Sequence, residues 1–279
     1  MIGKLSAFLK PGSQMRRAYM VLIFVFATPF RDMLSVGAAL VVAAELWVLL
    51  SYSVLRRNEA LTTQGPYTLV RNPVYAGAVT ACVGFFFLAG AGLASERHLS
   101  VYPFLIRLRE GLYLNPVVLA VSVPFLVAFV THYMRRIREE EAKLLKHFGD
   151  AYSAYLERVP TRLLPYLPNL RKRDWFMFEA SVELAARNRV FSRVVKYGIW
   201  LVLFCGKGAH LWNADRSELL AFWTDKDFPL FFGLLVLMVI LHVLARRLQS
   251  GVEPLRNAQT PPLVEMSVGE DPPSERVTP

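Results

Sequence analysis

Residues 35–55 read SVGAALVVAAELWVLLSYSVL, a stretch with a single charged residue, Glu45. A helix that crosses the roughly 30 Å hydrocarbon core of a bilayer needs about 20 mostly apolar residues. Lipid offers the backbone no hydrogen-bond partners, so a helix, which satisfies its own amide and carbonyl groups, is the favoured form of such a stretch. The sequence therefore predicts a transmembrane helix here.

Five further apolar blocks lie on either side of this one. They are residues 18–30, 75–94, 115–134, 197–213 and 228–246. The first block is short and the fifth contains Lys207, so these two fit the pattern least well. Hydrophobic residues make up 54% of the chain, and they fall in these blocks rather than evenly as in a soluble domain. We predict an all-α fold class, a polytopic membrane helix bundle of about six spans.

Basic residues predict the orientation of this bundle. Most of the 32 lysines and arginines lie in the N-terminus, the loop 56–74, the segment 135–196 and the C-terminal tail. Cytoplasmic loops carry an excess of Lys and Arg, so both termini are expected in the cytoplasm, as in a protein of the bacterial inner membrane. The net charge of +10 then reflects topology and attraction to anionic membrane lipids. No patterned basic and aromatic surface suggests a nucleic acid partner.

The charged segment that follows the fourth block has apolar residues at helical spacing. They are at positions 137, 144, 145, 148, 152, 155 and 156, with arginines and lysines between them. The segment is too charged to span a membrane, so we predict a cytoplasmic amphipathic helix that ends before Pro160. A helix of this kind often only rests on the membrane surface. The alternative role is to complete a binding site.

The chain divides into three regions on this basis. Residues 1–170 form a membrane core with the amphipathic helix. Residues 171–249 begin with an interfacial segment around Trp175 and continue as an additional two-helix membrane hairpin. Residues 250–279 are rich in Pro, Glu and Ser and contain few large apolar groups, which predicts a disordered tail.

Two cysteines fall inside the predicted spans, and two charged residues lie well within them. Cys82 and Cys205 have no neighbouring His or Asp, so neither a disulfide nor a metal site is indicated, and both are interpreted as small packing residues. Charges within spans are costly and mark functional candidates. For Glu45 the sequence offers no way to choose a partner. For Lys207 the simplest interpretation is a side chain that extends to the far interface near Trp212.

Two motifs flank the third and fourth apolar blocks. The first is Gly65-Pro66-Tyr67, followed by Arg71-Asn72-Pro73-Val74-Tyr75-Ala76-Gly77, just before the third block. The second is Glu140-Glu141, followed by Phe148-Gly149-x2-Tyr152-x2-Tyr155, just after the fourth block. A helical hairpin formed by the two blocks would bring both motifs to the same side of the membrane. This arrangement predicts one site built from distant parts of the chain.

These motifs resemble those of the isoprenylcysteine carboxyl methyltransferase family and its phospholipid N-methyltransferase relatives. The resemblance covers roughly residues 40–168 and includes Val159-Pro160 after the second motif. One departure is Asn72, which stands where the eukaryotic carboxyl methyltransferases have His. A second departure is the helix pair after residue 190, which the family core does not explain.

The resemblance implies S-adenosylmethionine as cofactor and a set of site residues. Arg71 and Glu140 are the expected catalytic residues. Arg71 is expected to hold the cofactor carboxylate or orient an anionic acceptor, whereas the simpler interpretation is an arginine that sets topology. Glu140 and Glu141 are expected to accept hydrogen bonds from ribose hydroxyls or the ammonium group, and Glu139 is expected to matter less. The expected cofactor-binding residues are Tyr67, Arg71, Asn72, Pro73, Tyr75, Gly77, His132, Glu140, Glu141, Tyr152 and Tyr155.

The expected function is that of an integral membrane S-adenosylmethionine-dependent methyltransferase. Its acceptor would be lipophilic, an isoprenoid, a prenyl carboxylate or a lipid, and O-methylation is favoured over N-methylation. The nearest alternative is a phospholipid N-methyltransferase, followed by a nicotinamide-dependent enzyme similar to sterol reductases. A non-catalytic membrane interaction protein is a further alternative. Neither the acceptor nor the oligomeric state follows from the sequence.

Overall fold

The computed structural model describes residues 13–56, 60–91, 93–94, 105–109, 112–171, 178–213 and 228–259. This part of the chain is mostly helical. Its α-helices are α1 (Ser13–Phe26), α2 (Arg31–Val54), α3 (Pro73–Leu88), α4 (Pro116–Phe148), α5 (Asp150–Arg158), α6 (Val182–Arg187), α7 (Val190–Asn213) and α8 (Phe228–Gln259). Two 3₁₀ helices, Gly65–Thr68 and Leu167–Arg171, lie in the loops before α3 and after α5.

Three short strands lie between α3 and α4. They are β1 (Leu93–Ala94), β2 (Ile106–Arg109) and β3 (Leu112–Leu114), and β3 pairs antiparallel with both others. Asn115 follows directly and caps α4, since its side chain accepts a hydrogen bond from the Val118 amide at 3.0 Å. The strands therefore lie at the end of the bundle opposite the two motifs.

Three of the predicted spans correspond to helices that are long and apolar enough to cross a membrane. They are Met33–Val54, Pro116–Phe148 and Pro229–Arg247, and they indicate a membrane protein. Helix α3 is apolar but shorter. Six spans are not confirmed, because α1 has only 14 residues and the 24-residue α7 contains several basic residues.

The predicted separate amphipathic helix is not present in that form. Helix α4 runs without a break for 33 residues, so the charged segment continues the apolar one in the same direction. The segment from Arg135 to His147 contains no glycine or proline, and nothing interrupts the helix until Gly149, whose φ of +51° suits glycine. Only the short α5 changes direction after that turn.

The predicted tail is partly helical. Helix α8 continues to Gln259, so the first residues of the region assigned to disorder belong to this helix. Leu248, Val252 and Leu255 keep the helical spacing of apolar residues, a local pattern that the composition of the whole region hides. Residues 260–279 and the interfacial segment 172–177 lie outside the described residues.

Helices α2 and α3 pack at very short distance along a seam of small residues. A Cβ atom added to Gly37 would lie 2.7 Å from the Gly84 carbonyl oxygen and 2.7 Å from the Leu88 amide nitrogen. At Gly77 an added Cβ would lie 2.4 Å from a methyl group of Val48. Small residues allow such approach in membrane proteins, where helices associate mainly through van der Waals packing. The seam therefore fixes the position of α3, and with it the first motif.

The end of α1 is held by polar side chains from two other helices. The last carbonyl groups of a helix have no partner within it. Lys207 of α7 donates to the Phe24 oxygen at 2.7 Å and to the Val25 oxygen at 3.0 Å, and Asn115 donates to the Phe26 oxygen at 2.9 Å. Lys207 thus caps α1, which differs from the predicted extension towards Trp212.

We predict that Gly37→Ala destabilises the protein by about 1–3 kcal/mol, because the added methyl group forces two backbones apart. The measurement is reversible unfolding of the full chain in detergent micelles. Gly233→Ala in α8 is the matched control. An added Cβ there meets no atom within 4 Å, so it should leave stability unchanged or raise it slightly through helix propensity. Equal stability of the two variants would contradict the packing described for this seam.

Candidate functional site

The loop that carries the first motif is paired with the segment that follows α5. The Arg71 amide donates to the Thr161 oxygen at 3.1 Å, and the Tyr166 amide donates to the Leu69 oxygen at 2.7 Å. Asn169, which is buried, donates through its side-chain amide to the Thr68 oxygen at 2.8 Å and to a carbonyl at the end of α5 at 3.1 Å. The two predicted motifs therefore meet, as the hairpin argument expects.

The contact between the loop before α3 and the segment after α5 is called the junction below. Arg71 lies at its centre. Its Nη1 is 3.1 Å from Glu141 Oε1, and its Nη2 donates to the Pro160 oxygen at 2.9 Å. Arg162 donates from Nε to the other oxygen of Glu141 at 2.9 Å. The side chains of Arg71 and Glu141 are only 10% and 11% exposed, so their interaction is weakly screened by solvent. The result is one carboxylate held between two guanidinium groups.

The neighbouring acid has a different environment. Tyr75 donates its hydroxyl to Glu140 Oε1 at 2.7 Å, and Arg136, one turn earlier on α4, lies 3.6 Å from the same oxygen. The Glu140 side chain is 44% exposed. The sequence predicts Arg71 and Glu140 as the catalytic pair, whereas the structure places Arg71 against Glu141 and Glu140 against Tyr75.

The tyrosines of the second motif are buried against the first. The Tyr155 hydroxyl donates to the Tyr67 carbonyl oxygen at 2.9 Å, which holds the loop onto α5. Tyr152 is only 2% exposed, and burial, together with the nearby Glu141 charge, raises the pKa of its hydroxyl to about 12. Burial likewise raises the pKa of Tyr155. Both hydroxyl groups are therefore neutral at ordinary pH, and that of Tyr155 serves as a hydrogen-bond donor.

The remaining predicted residues lie around the start of α3 and along α4. Asn72 precedes the helix, and the Pro73 carbonyl oxygen accepts a hydrogen bond from the Trp47 indole at 3.1 Å. Gly77 faces α2, so its small size serves helix packing. His132 is half-buried beside Tyr133, with ring centroids 6.0 Å apart, and precedes Glu140 by about 12 Å along the axis of α4.

Several buried polar atoms at the junction have no hydrogen-bond partner within the described parts of the chain. They are two donors, Arg71 Nε and Asn72 Nδ2, and two acceptors, the neutral Asn169 Oδ1 and the anionic Glu141 Oε1, whose contact with Arg71 is a charge contact only. Buried polar groups are nearly always hydrogen-bonded in native proteins. Two donors beside one anionic acceptor suit a zwitterion, since the donors bind a carboxylate and the acceptor binds an ammonium group. The amino acid portion of S-adenosylmethionine has this chemistry.

Sequence reasoning missed four residues of this site. Arg162 and Asn169 lie in the segment after α5, where only the prolines were informative, and Arg136 was only one of the basic residues of the amphipathic segment. Tyr133 packs its ring 4.7 Å from that of Tyr75. The available signal for Arg136 was its i, i+4 spacing from Glu140. No local pattern marks the other three, because their partners are distant in the sequence.

Comparison with known proteins adds no relative. The chain matches no protein-family model, and no curated protein or solved structure matches it. The site must therefore be interpreted from its own residues.

We predict that Asn169→Asp destabilises the junction more than Asn169→Ala does. The aspartate has nearly the same shape but cannot donate to the two carbonyl oxygens, whereas alanine removes the side chain and loses about 1–3 kcal/mol. Thermal unfolding in micelles gives the ranking. Ser153→Ala, at an exposed position of α5, is the control and should have no effect. An Asn169→Asp protein as stable as the wild type would contradict the assigned hydrogen bonds.

Proposed function

We propose that this protein is an S-adenosylmethionine-dependent methyltransferase that acts on a lipophilic acceptor at the cytoplasmic surface of a membrane. The observation that carries the proposal is the convergence of two motifs separated by two apolar helices. Arg71 contacts Glu141 and Tyr75 contacts Glu140, and unpartnered donors and an acceptor remain between them. The motif resemblance supplies the reaction class, and the polar atoms suit the zwitterionic end of the cofactor.

Different residues of the junction would bind different groups of the cofactor. Arg71 Nε and Asn72 Nδ2 would bind the cofactor carboxylate, while Glu141 would accept from the ammonium group. Glu140, fixed by the Tyr75 hydroxyl, would accept from ribose hydroxyls or remove a proton from an amine acceptor. When bound, the cofactor supplies an electrophilic methyl group on a positively charged sulfur. The protein has to position the acceptor in line with it and exclude water.

A carboxylate acceptor fits the surroundings of the site. Methyl transfer from a sulfonium to a carboxylate converts a cation and an anion into a neutral thioether and a neutral ester. This loss of charge is favoured where the dielectric constant is low, at the border of the bilayer. An amine acceptor would require a base, for which Glu140 is the available group. We therefore favour O-methylation, with phospholipid N-methylation as the alternative that Glu140 supports.

The membrane arrangement is part of the proposal. Helices α1, α3 and α7 would complete a six-span bundle with both termini in the cytoplasm, and the charged half of α4 with α5 would close the cofactor site. The cofactor is charged and made in the cytosol, so its site has to open to the basic side. An acceptor dissolved in the bilayer would enter laterally between the helices. The cofactor would thus come from the cytosol and the acceptor from the bilayer. These two sources explain why such an enzyme needs apolar helices around a polar site.

The decisive test is binding of S-adenosylhomocysteine, the stable cofactor product, to the purified full chain by calorimetry. We expect saturable binding with one site and no binding of NADPH. The reverse result would favour the reductase alternative, and binding of neither would favour the non-catalytic alternative. Incubation with methyl-labelled S-adenosylmethionine and membrane lipids then identifies the bond formed. An alkali-labile label indicates an ester, and a stable label indicates a methylamine.

We predict that Arg71→Ala and Glu140→Ala abolish methyl transfer, with losses of at least about 100-fold. Arg71→Lys keeps the charge but loses the fork of donors, so it should weaken cofactor binding by about tenfold while remaining folded. Glu139→Ala, at the adjacent exposed position of α4, is the matched control and should retain wild-type turnover. Thermal unfolding of each variant separates loss of function from loss of fold. Equal effects at all three positions would overturn the assignment.

A further inference from the structure

Three basic residues outside the junction lie at one end of helices α1, α7 and α8. They are Arg17 of α1, Lys196 of α7 and Arg246 of α8, and they are called the basic cluster below. All three side chains are exposed, and none forms an ion pair with a carboxylate of the described residues. All three helices also lie outside residues 40–168, the region of the motif resemblance. The cluster therefore needs an explanation of its own.

The packing of α7 against α8 brings Lys196 and Arg246 to the same end of the bundle. Two glycines of α7 mark the contact: an added Cβ would lie 3.3 Å from Met238 Sδ at Gly198 and 3.2 Å from the Phe231 ring at Gly206. The two helices are therefore antiparallel. Lys196 lies two residues before the first contact on α7, and Arg246 lies eight residues after it on α8. Both shifts lead in the same direction, so the two residues differ by only about 9 Å along the bundle axis.

Helices α1 and α7 run in the same direction, because each is antiparallel to α2. Only four residues separate the end of α1 from the start of α2. At the other end of α2, Asn188, just before α7, donates to the Leu55 oxygen at 3.0 Å. Further along α7, Arg193 lies 3.2 Å from Glu45, which lies earlier in α2 than Leu55. This contact also supplies the partner for Glu45 that the sequence could not identify.

The shared direction places Arg17 and Lys196 at the same level. Phe24 of α1 contacts Phe204 of α7, with 5.3 Å between ring centroids. Arg17 precedes Phe24 by seven residues and Lys196 precedes Phe204 by eight, so both lie about 10–12 Å from this contact in one direction. The charges of Arg17 and Arg246 both act on the Lys196 ammonium group, which agrees with these positions.

Lys196 lies on the side of α7 between α1 and α8. Residues of a helix follow one another at about 100°, so Lys196 is about 40° around the axis from Trp200, whose ring contacts Phe24 of α1 at 6.0 Å. In the other direction it is about 80° from Gly206, which faces α8. The ammonium group can thus meet a ligand that also contacts α1 and α8.

The helices of the basic cluster contain almost no negative charge. The sequences of α1 and α7 have no acidic residue, and the only one of α8, Glu253, follows Arg246 by about 10 Å along the axis. Arg16, which precedes Arg17, adds a further cation. His242, one turn before Arg246, has a buried Nδ1 without a hydrogen-bond partner among the described residues. Like charges in one place repel one another and attract an anion.

The surface next to the basic cluster is apolar. Val21, one turn after Arg17 on α1, is 52% exposed, and Val239, two turns before Arg246 on α8, is 48% exposed. Both lie on the side of the cluster that faces the middle of the bundle. A ligand that fits both parts therefore has an anionic headgroup and apolar chains.

We propose that Arg17, Lys196 and Arg246 bind the phosphodiester of one anionic phospholipid, with its acyl chains along the exposed apolar sides of α1 and α8. The two unesterified oxygens of a phosphodiester accept hydrogen bonds from several guanidinium and ammonium groups at once. Basic pockets between membrane helices bind anionic headgroups in this way. The lipid is a bound component that fixes α1, α7 and α8 together, so the site does not depend on methyl transfer.

A topology signal makes a different prediction from a binding site. Basic residues beside a membrane often serve only to set its orientation, and their effect then depends on their number. Binding of one headgroup depends on where the cations lie. Removal of two charges from the basic cluster should therefore weaken lipid binding, whereas removal of two charges at the same level elsewhere should not.

The experiment titrates the delipidated full chain in neutral detergent with phosphatidylglycerol and counts bound lipid by native mass spectrometry. We expect one lipid per chain, with phosphatidylcholine of the same acyl chains bound more weakly because its headgroup has no net charge. Each basic residue near a membrane surface contributes about fivefold in affinity, so Lys196→Gln with Arg246→Gln should weaken binding of phosphatidylglycerol by about 25-fold. Equal affinity for the two lipids would overturn the proposal.

The matched control is Arg135→Gln with Arg138→Gln. Both arginines are exposed on α4, just after Tyr133, whose hydroxyl accepts from Arg16 at 3.5 Å, so they lie close to the level of the basic cluster. This double variant has the same net charge as the first and should bind the lipid as the wild type does. Equal losses in the two double variants would show attraction to charge alone and overturn the site.

Two further measurements complete the test. Lys196→Arg with Arg246→Lys keeps both charges and should retain lipid binding, whereas a loss as large as that of the glutamine variant would contradict recognition by charge. Glycerol 3-phosphate tests a soluble source of the phosphate, and competition at the concentrations at which the lipid binds would overturn the assignment to a lipid. No cofactor enters these measurements, so their failure leaves the proposed methyl transfer untouched, and absence of cofactor binding leaves the lipid site untouched.

Discussion

The contact between Arg71 and Glu141 is the constraint on which the candidate site depends. Arg71 lies in the loop before α3 and Glu141 in the second half of α4, so the contact joins parts of the chain that two apolar helices separate. Removal of either partner would strongly destabilise the protein. Both side chains are largely removed from water, and an uncompensated buried charge is strongly unfavourable. The contact is therefore supported from several directions: Arg162 binds the same carboxylate, and Pro160 accepts from the same guanidinium. Both oxygens of this carboxylate therefore lie against guanidinium groups, Oε1 against Arg71 and Oε2 against Arg162.

Packing within the bundle determines where this contact forms. The glycine seam brings α2 and α3 together so closely that α3 has little freedom to slide, and the Trp47 indole binds the first carbonyl of α3. The loop before α3 therefore has a fixed position along the axis of α4. Helix α4 continues without a break beyond its apolar segment, so Glu140 and Glu141 lie beside that loop. The site is assembled from rigid elements, with the segment after α5 closing over it.

The sequence was informative where the signal is local or periodic. The apolar block at 35–55 predicted a spanning helix, and the structure contains a helix long and apolar enough to span at Met33–Val54. The spacing of the two motifs predicted that Arg71 would approach the acidic pair. It did not predict which acid, because adjacent helical residues point about 100° apart and only the rotation of α4 decides between Glu140 and Glu141. The continuity of α4 was missed because a change from apolar to charged residues was interpreted as a change of element. Partners such as Arg193 for Glu45 depend on tertiary packing, which one sequence does not reveal.

The additional helix α7 gains a physical role from its contacts with the core. Lys207 binds the last carbonyls of α1 at one end of α7, and Asn188, just before α7, donates to the Tyr52 and Leu55 oxygens at the end of α2. Helix α7 is therefore fixed at both ends to the core, in opposite halves of the bundle. Fixing both ends sets its rotation, and that rotation turns Arg193 inward towards Glu45 rather than outward to lipid. A helix retained only for anchoring would carry an apolar residue at this position at lower cost. The buried Glu45–Arg193 pair carries a desolvation cost, and charged groups inside a bundle of apolar helices are functional candidates by that cost alone.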